Sequence, residues 1–119
     1  MTLDKQLYIF KAKVLRVIDG DTLVIDLDMG FETHTIKRVR LLGVDTPERG
    51  KPGYNEAKAF TTQVVLDNDV YVQTYQSDAF GRYLADVWYR VDDNEYRLSH
   101  ELSVRGFVKE GSKWNEGDE

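Results

Sequence analysis

Two aspartates flank a glycine inside an apolar segment, V-I-D-G-D-T-L-V-I, at residues 17–25. Asp19 and Gly20 suit a two-residue hairpin turn, because both residue types tolerate the positive φ angles that such a turn requires. That turn leaves the carboxylate of Asp21 without a structural role. Together with Asp45, further along the chain, Asp21 supplies hard oxygen ligands of the kind that Ca²⁺ or Mg²⁺ prefers. The two aspartates are therefore candidate ligands of one divalent cation.

Three more charged residues complete a set that could act on a phosphodiester. Arg40 and Arg82 offer planar guanidinium groups that donate paired hydrogen bonds to phosphate oxygens, and these bonds count most as charge builds in the transition state. Glu48 follows Asp45 by three residues, beyond a proline, so its carboxylate can hold or deprotonate a water. The two histidines are expected on the surface, and no serine stands in a convincing nucleophile setting. The set favours metal-assisted hydrolysis.

Each of these residues also has a purely structural interpretation. Asp19 and Asp21 taken alone favour a turn over a ligand pair by about two to one. The segment at residues 45–48 could cap a strand or begin a helix, and isolated arginines are most often solvated or ion-paired. The joint pattern favours a site, because all the structural interpretations would otherwise have to hold together by coincidence.

The elements that must position these residues are mostly strands. Alternating apolar and polar residues, rich in β-branched and aromatic types, predict strands at residues 7–18, 22–28, 35–44, 70–76 and 83–91. After the third strand, Ala57, Phe60 and Val64 recur at helical spacing and predict an amphipathic helix that ends near Asp67. A short second helix is predicted near the C-terminus, with Ser99 as its N-cap and Gly106 at its C-terminal end.

Five strands with a helix after the third predict a mainly β (α+β) domain. The expected architecture is a five-stranded OB-type barrel, a fold that often binds oligonucleotides. At 119 residues the chain is long enough for one core but too short for two, so we expect a single domain over residues 1–119, with frayed ends at residues 1–6 and 113–119. The net charge of −5 argues against a nucleic-acid coat protein, which binds through excess lysine and arginine.

The sequence also bounds the setting of the protein. No segment has the apolar length of a signal peptide or a membrane span. The absence of cysteine excludes disulfides and thiolate metal sites. We therefore expect a monomer without membrane contact that acts in the bacterial cytoplasm or is phage-encoded and intracellular; secretion is expected only if a signal peptide was removed.

Taken together, the motifs resemble those of the staphylococcal nuclease, or thermonuclease, family. The matching segments are V-I-D-G-D-T at residues 17–22, R-L-L-G-V-D-T-P-E at 40–48, E-A-K-A-F at 56–60, G-R-Y-L-A at 81–85 and L-S-V-R-G at 102–106. In order and spacing they extend over nearly the whole chain from residue 13 to residue 109. One departure is Ala79, which stands where the family commonly has a lysine.

The resemblance implies an OB-type barrel and Ca²⁺-dependent hydrolysis of phosphodiester bonds in DNA and RNA, leaving 3′-phosphates. It implies that Asp21 and Asp45 bind Ca²⁺ through their side chains, and Thr46 through its backbone carbonyl. The other implied site residues are the phosphate-binding Arg40 and Arg82, the general base or water-positioning Glu48, and Asp19, a carboxylate behind the metal ligands. As further substrate contacts we expect Lys51, Phe80 and Tyr83.

Two other functions are compatible with the same fold. The first is a catalytically weak or inactive nuclease-like module that binds nucleic acid or protein, as in the Tudor-containing relatives. Such modules usually lose a ligand aspartate or an arginine, and this chain keeps them. The second is a calcium-stabilised barrel without a nucleic-acid role, which would leave Arg40 and Arg82 unexplained. We favour the nuclease.

Overall fold

The computed structural model describes residues 7–75, 83–109 and 111–112 of the chain. Its elements, in chain order, are β1 (Ile9–Asp19), β2 (Thr22–Asp28), β3 (His34–Leu41), α1 (Tyr54–Val65), β4 (Asp69–Tyr75), β5 (Tyr83–Val91), β6 (Asn94–Arg97) and α2 (Leu98–Val104). Each predicted strand and helix has a counterpart here. The third strand ends at Leu41, earlier than predicted, because the chain turns away from the sheet immediately after it.

The sheet closes on itself to form the barrel. The strand order is β3-β2-β1-β4-β5-β6, and β3 also pairs with β5 in parallel. This last pairing, which brings Arg40 opposite Leu84, leaves no open edge among β1 to β5. A five-stranded barrel of the OB type with a helix after the third strand is thus confirmed. Apolar side chains from these strands and from both helices fill its interior.

β6 was not predicted from the sequence. It extends β5 as an antiparallel hairpin beyond the closing pairs. Its turn places Asp92 at φ 51° and Asp93 at φ 70°. Aspartate tolerates this left-handed region, and the tightest hairpin turns require it at both central positions. The strand is only four residues long and half-exposed, so its residues show no alternation of apolar and polar types. The turn before it is the only sequence signal for this strand.

The turn between β1 and β2 differs from its prediction. Asp19 pairs with Thr22, so the two turn residues are Gly20 and Asp21, and Gly20 does not adopt a positive φ. A Cβ atom at Gly20 would lie 3.0 Å from the Cβ of Ala57 on α1 and 3.0 Å from Cγ2 of Thr46. Glycine is needed here because the side chains of Ala57 and Thr46 approach closely, and not for its conformational freedom.

α1 packs against the barrel on a face shifted from the predicted one. Ala57 is buried as expected, whereas Phe60 and Val64 are half-buried at the border of the face. Thr61 fills the centre instead, and its hydroxyl donates a 2.8 Å hydrogen bond to the Gly20 carbonyl. The helix ends two residues before the predicted Asp67, with Leu66 as its C-cap. A threonine was not counted among the apolar residues, so its position at the centre was not predicted.

α2 begins after an Arg97 N-cap, so the predicted N-cap Ser99 lies inside the first turn and is buried. The predicted glycine end is present. Gly106 has φ 79° and donates to the Ser103 carbonyl, while the N–H of Phe107 donates to the Leu102 carbonyl at 2.9 Å. These two bonds form a Schellman motif, which turns the chain back sharply after the helix. Neither α1 nor α2 is long and apolar enough to cross a membrane.

Candidate active site

Arg40 is the centre of a polar cluster at one end of the barrel. Its backbone is held near the end of β3, between Thr22 of β2 and Leu84 of β5. Its Nη2 donates to Asp45 Oδ1 at 2.9 Å and to Asp21 Oδ2 at 3.3 Å, and its side chain is 11% exposed. The two aspartates predicted to share a cation therefore converge on one point, which here holds the Arg40 guanidinium.

The opposite nitrogen of the same guanidinium shapes the loop that carries Asp45. Arg40 Nη1 donates to the carbonyls of Leu41 at 3.1 Å and Val44 at 3.0 Å. Backbone carbonyls need partners once they leave a sheet and are buried, and here one guanidinium serves two of them. Arg40 thus fixes the loop after β3 and orients its own plane.

Asp21 joins the β1–β2 turn to the same loop. The residue is 6% exposed, and its Oδ2 accepts a 3.0 Å hydrogen bond from the Thr46 N–H as well as the Arg40 contact. Its Oδ1 accepts from the Thr22 hydroxyl at 3.0 Å, and its backbone carbonyl accepts from the Leu41 N–H at 2.8 Å. A buried carboxylate is costly unless its oxygens are hydrogen-bonded, and both oxygens of Asp21 are.

Thr46 contributes an unpaired oxygen beside these acids. It is 3% exposed, and its Oγ1 has no hydrogen-bond partner among the described residues. Leaving a buried hydroxyl unpaired costs about 1–3 kcal/mol, so the position suits a water or another polar ligand. The cluster of two carboxylates, this hydroxyl and the Thr46 main chain contains only hard oxygen donors, which fit Ca²⁺ or Mg²⁺.

The same residues do not form a closed cage of acidic side chains. Over residues 7–75, 83–109 and 111–112, no group of three or more histidine, aspartate and glutamate side chains is placed to hold one ion. A cation between Asp21 and Asp45 would therefore have to complete its shell with main-chain oxygen and water. Both hard divalent cations accept such a shell.

Glu48 lies outside the barrel end, on the loop after Asp45. Its side chain is 64% exposed, and its Oε1 accepts a 2.8 Å hydrogen bond from Nζ of Lys109. That bond and the charge of Lys109 lower the pKa of Glu48, with a smaller contribution from the charge of Lys51. Glu48 is thus a carboxylate at neutral pH, as a general base must be.

Lys51 lines a cleft next to Glu48. The cleft has a volume of about 410 Å³ and is lined by Pro47, Glu48, Lys51, Pro52, Val108 and Lys109. One wall comes from the loop before α1 and the other from the chain after α2. The predicted substrate-binding lysine therefore faces a cavity beside the candidate base.

The chain after α2 also reaches Asp45, which sequence reasoning missed. The Lys109 N–H donates to the Asp45 carbonyl at 2.6 Å, and the Ser112 hydroxyl donates to Asp45 Oδ2 at 2.7 Å. The available sequence signal was Gly106, which predicts a reversal of the chain but not the surface on which the reversed chain lands.

The remaining predicted site residues are less closely tied to the cluster. Asp19 is half-buried at the end of β1, opposite Thr22. Tyr83 is half-exposed at the start of β5, and Nζ of Lys37 lies 5.2 Å from the centre of its ring. Arg82 and Phe80 lie outside the described residues, as does Ala79. The roles expected for these residues stay predictions.

Comparison with known proteins finds one family and several nucleases among the relatives of this chain. The family model described as "Staphylococcal nuclease homologue" matches residues 38–117. A thermonuclease of Staphylococcus hyicus is 34% identical over 113 residues, which cover 87% of this chain and 64% of the relative. A thermonuclease of Staphylococcus intermedius is 45% identical over 83 residues, covering 63% of this chain and 46% of the relative. A micrococcal nuclease of Shigella flexneri is 29% identical over 107 residues, covering 88% of this chain and 58% of the relative. The chain thus spans less than two thirds of the length of these relatives.

Proposed function

Because the chain belongs to the staphylococcal nuclease family, we propose that it hydrolyses phosphodiester bonds of DNA and RNA with one bound Ca²⁺, leaving 3′-phosphates. The observation that carries the proposal is the convergence of Asp21 and Asp45 on the largely buried guanidinium of Arg40. Bringing opposite charges from three segments together costs desolvation, which their mutual hydrogen bonds offset.

The acidic half of the site would hold the cation. Asp21 and Asp45 would bind it through carboxylate oxygens and Thr46 through its backbone carbonyl, and the ion when bound supplies Lewis-acid stabilisation of the phosphate. Asp19, at the end of β1, would act behind these ligands. Their hard oxygens and the unpaired Thr46 hydroxyl support this assignment.

The basic half would bind the phosphate. Nη1 of Arg40 is held by two carbonyls and Nη2 by the carboxylates of Asp21 and Asp45. A cation bound by the two carboxylates would take the place of Nη2 there, and Nη2 would then meet a phosphate oxygen. Arg82 would supply the second guanidinium, and Lys51, Phe80 and Tyr83 would contact the rest of the strand. Charge builds on the phosphate oxygens in the transition state, so preorganised donors there lower the barrier.

Glu48 would hold or deprotonate the attacking water. Its lowered pKa keeps it charged, and its exposed position at the mouth of a cleft leaves room for a water. Neither histidine of the described chain lies in this cluster; His34 instead contacts Asp26, at the far end of β2 and β3. A carboxylate base therefore suits the site better than imidazole does.

The proposal is tested with the purified protein on single-stranded DNA and on RNA. Cleavage is expected with Ca²⁺ and is expected to stop when the ion is chelated. Asp21→Asn should abolish Ca²⁺-dependent cleavage, whereas Asp92→Asn, in the exposed β5–β6 turn, should leave it unchanged. Absence of cleavage by the unaltered protein with Ca²⁺, Mg²⁺ or Mn²⁺ at alkaline pH would overturn the proposal.

A binding module without catalysis is the second candidate. It is favoured by one observation: Arg40 and Glu48 are both engaged by charged partners within the protein. A module of this kind would retain oligonucleotides without cleaving them, so the same cleavage assay combined with a binding measurement separates the nuclease from the binding module.

We further propose that the protein is a monomer that acts in the bacterial cytoplasm or is phage-encoded.

A further inference from the structure

The geometry points to the chain after α2 as part of the proposed active site: Ser112 positions Asp45, and Lys109 positions Glu48. This inference rests on the proposed function. It assigns both residues as positioning residues, because each touches an acidic side chain of the site. Three hydrogen bonds carry it, and all three join this segment to the loop after β3.

Ser112 determines which oxygen of Asp45 faces the cluster. Its hydroxyl donates to Oδ2 at 2.7 Å, while Oδ1 accepts from Arg40 at 2.9 Å. With one oxygen held from each side, the carboxylate plane cannot rotate freely. Groups that hydrogen-bond a metal ligand from behind orient it, and their loss typically weakens metal binding about 10- to 100-fold.

Lys109 holds the loop at two points. Its backbone N–H donates to the Asp45 carbonyl at 2.6 Å, and its Nζ donates to Glu48 Oε1 at 2.8 Å. The exposed carboxylate of Glu48 would otherwise sample several rotamers, because solvent alone imposes no single orientation. Lys109 therefore limits where a water held by Glu48 can lie.

The chain after α2 is held near the site by packing contacts that do not involve Asp45 or Glu48. After the Schellman turn at Gly106, the ring of Phe107 stacks on that of Phe60 with 5.3 Å between centroids. The guanidinium of Arg105 lies 5.0 Å from the centre of the same Phe60 ring. This anchor fixes the course of the chain just before Lys109, so substitution of Lys109 or Ser112 leaves the anchor in place.

The first arm of the test measures Ca²⁺ affinity by calorimetry without substrate. Ser112→Ala should weaken Ca²⁺ binding about tenfold or more, whereas Ser112→Thr, which keeps the hydroxyl, should retain most of the affinity. Thr33→Ala is the matched control, because it removes a hydroxyl at the opposite end of β2 and β3. Urea unfolding without Ca²⁺ measures any purely structural loss.

The second arm measures turnover of a single-stranded oligonucleotide. Lys109→Met should lower kcat about tenfold with unchanged Ca²⁺ affinity, and Lys109→Arg should restore most of it. Lys11→Met, at an exposed position of β1, is the control. If Ser112→Ala and Lys109→Met lower only the free energy of unfolding, the segment has a purely structural role and the inference is overturned. If both variants lose Ca²⁺ affinity equally, the assignment of Ser112 to Asp45 and of Lys109 to Glu48 is overturned. Failure of the unaltered protein to bind Ca²⁺ would instead overturn the cofactor assignment itself.

Discussion

Arg40 combines two tasks that are usually separate. One of its terminal nitrogens holds two backbone carbonyls of its own loop, and the other holds two carboxylates. Lysine could not replace it, because an ammonium is a point charge without the planar fork that reaches acceptors on two sides. Asp21 is similarly shared, since its Oδ2 accepts both from Arg40 and from the Thr46 N–H. The residues proposed for catalysis therefore also hold the loop together.

Glu48 is the exception at this scale, because its side chain is exposed and pairs only at the surface. Glu48→Gln should lower kcat by at least about a hundredfold, since it removes the proposed base while keeping the shape of the side chain. The temperature of unfolding should change little, because surface ion pairs contribute little to stability. Steady-state kinetics and thermal unfolding check both statements, with Glu56→Gln in the first turn of α1 as the control. Unchanged turnover would remove Glu48 from the mechanism.

The elements position the site through side-chain contacts with the backbone of the β1–β2 turn. The β1–β2 turn meets both α1 and the loop after β3, and the Thr61 hydroxyl of α1 holds the carbonyl of Gly20. Tyr54, at the start of α1, donates to the Ile18 carbonyl at 3.1 Å. α1 therefore holds the β1–β2 turn, which carries Asp21, in place. No residue of the helix was predicted to belong to the site.

Gly20→Ala tests this element-level support. The new Cβ would lie 3.0 Å from atoms of both Ala57 and Thr46, and neither neighbour is the end of a flexible side chain. We expect a loss of stability of about 1–3 kcal/mol, the range for overpacking, measured by urea unfolding. Gly30→Asn is the comparison, because Gly30 has open space around it, so the only cost there is the backbone strain at φ 84°, which asparagine bears better than most residues. A stability equal to that of the unaltered protein would show that the contact relaxes easily.

At the scale of the whole molecule, charged side chains outside the candidate site form contacts of their own. The site lies at the Thr22–Arg40 end of the β2–β3 pair, whereas His34 and Asp26 pair near the other end. Asp86 is buried on β5 and has other partners: its Oδ2 accepts from the Tyr75 hydroxyl of β4 at 3.2 Å. Burial raises the pKa of Asp86 above its usual 3.8, and the charge of Arg97 opposes this only in part.

Asp86 should therefore make the whole fold less stable as pH rises. With a folded-state pKa above the unfolded value, its contribution is fully present below about pH 4 and is lost as pH rises through the folded-state pKa. Asp86→Asn, which keeps an acceptor for Tyr75, should remove this part of the pH dependence. Urea unfolding at a series of pH values from 4 to about 8 measures it. Parallel pH curves for the two proteins would contradict the assignment.

Local patterns were sufficient to predict most of the fold. Period-two alternation predicts each barrel strand, because the sheet buries one face, and helical spacing predicts α1. Patterns failed where packing partners decided the outcome. Thr61 lies in the buried face of α1 because it hydrogen-bonds Gly20, and β6 forms because Asp92 and Asp93 accept a tight turn.

The sequence by itself determined the residue types of the candidate site, the strands that carry them and the family to which the chain belongs. Only the tertiary structure decided that Asp21 and Asp45 meet at Arg40, and that Lys109 and Ser112 reach acids 61 and 67 residues earlier in the chain. The reason is physical: periodicity records which side of an element is buried, whereas contacts between distant segments depend on how the barrel closes and where the chain turns after α2.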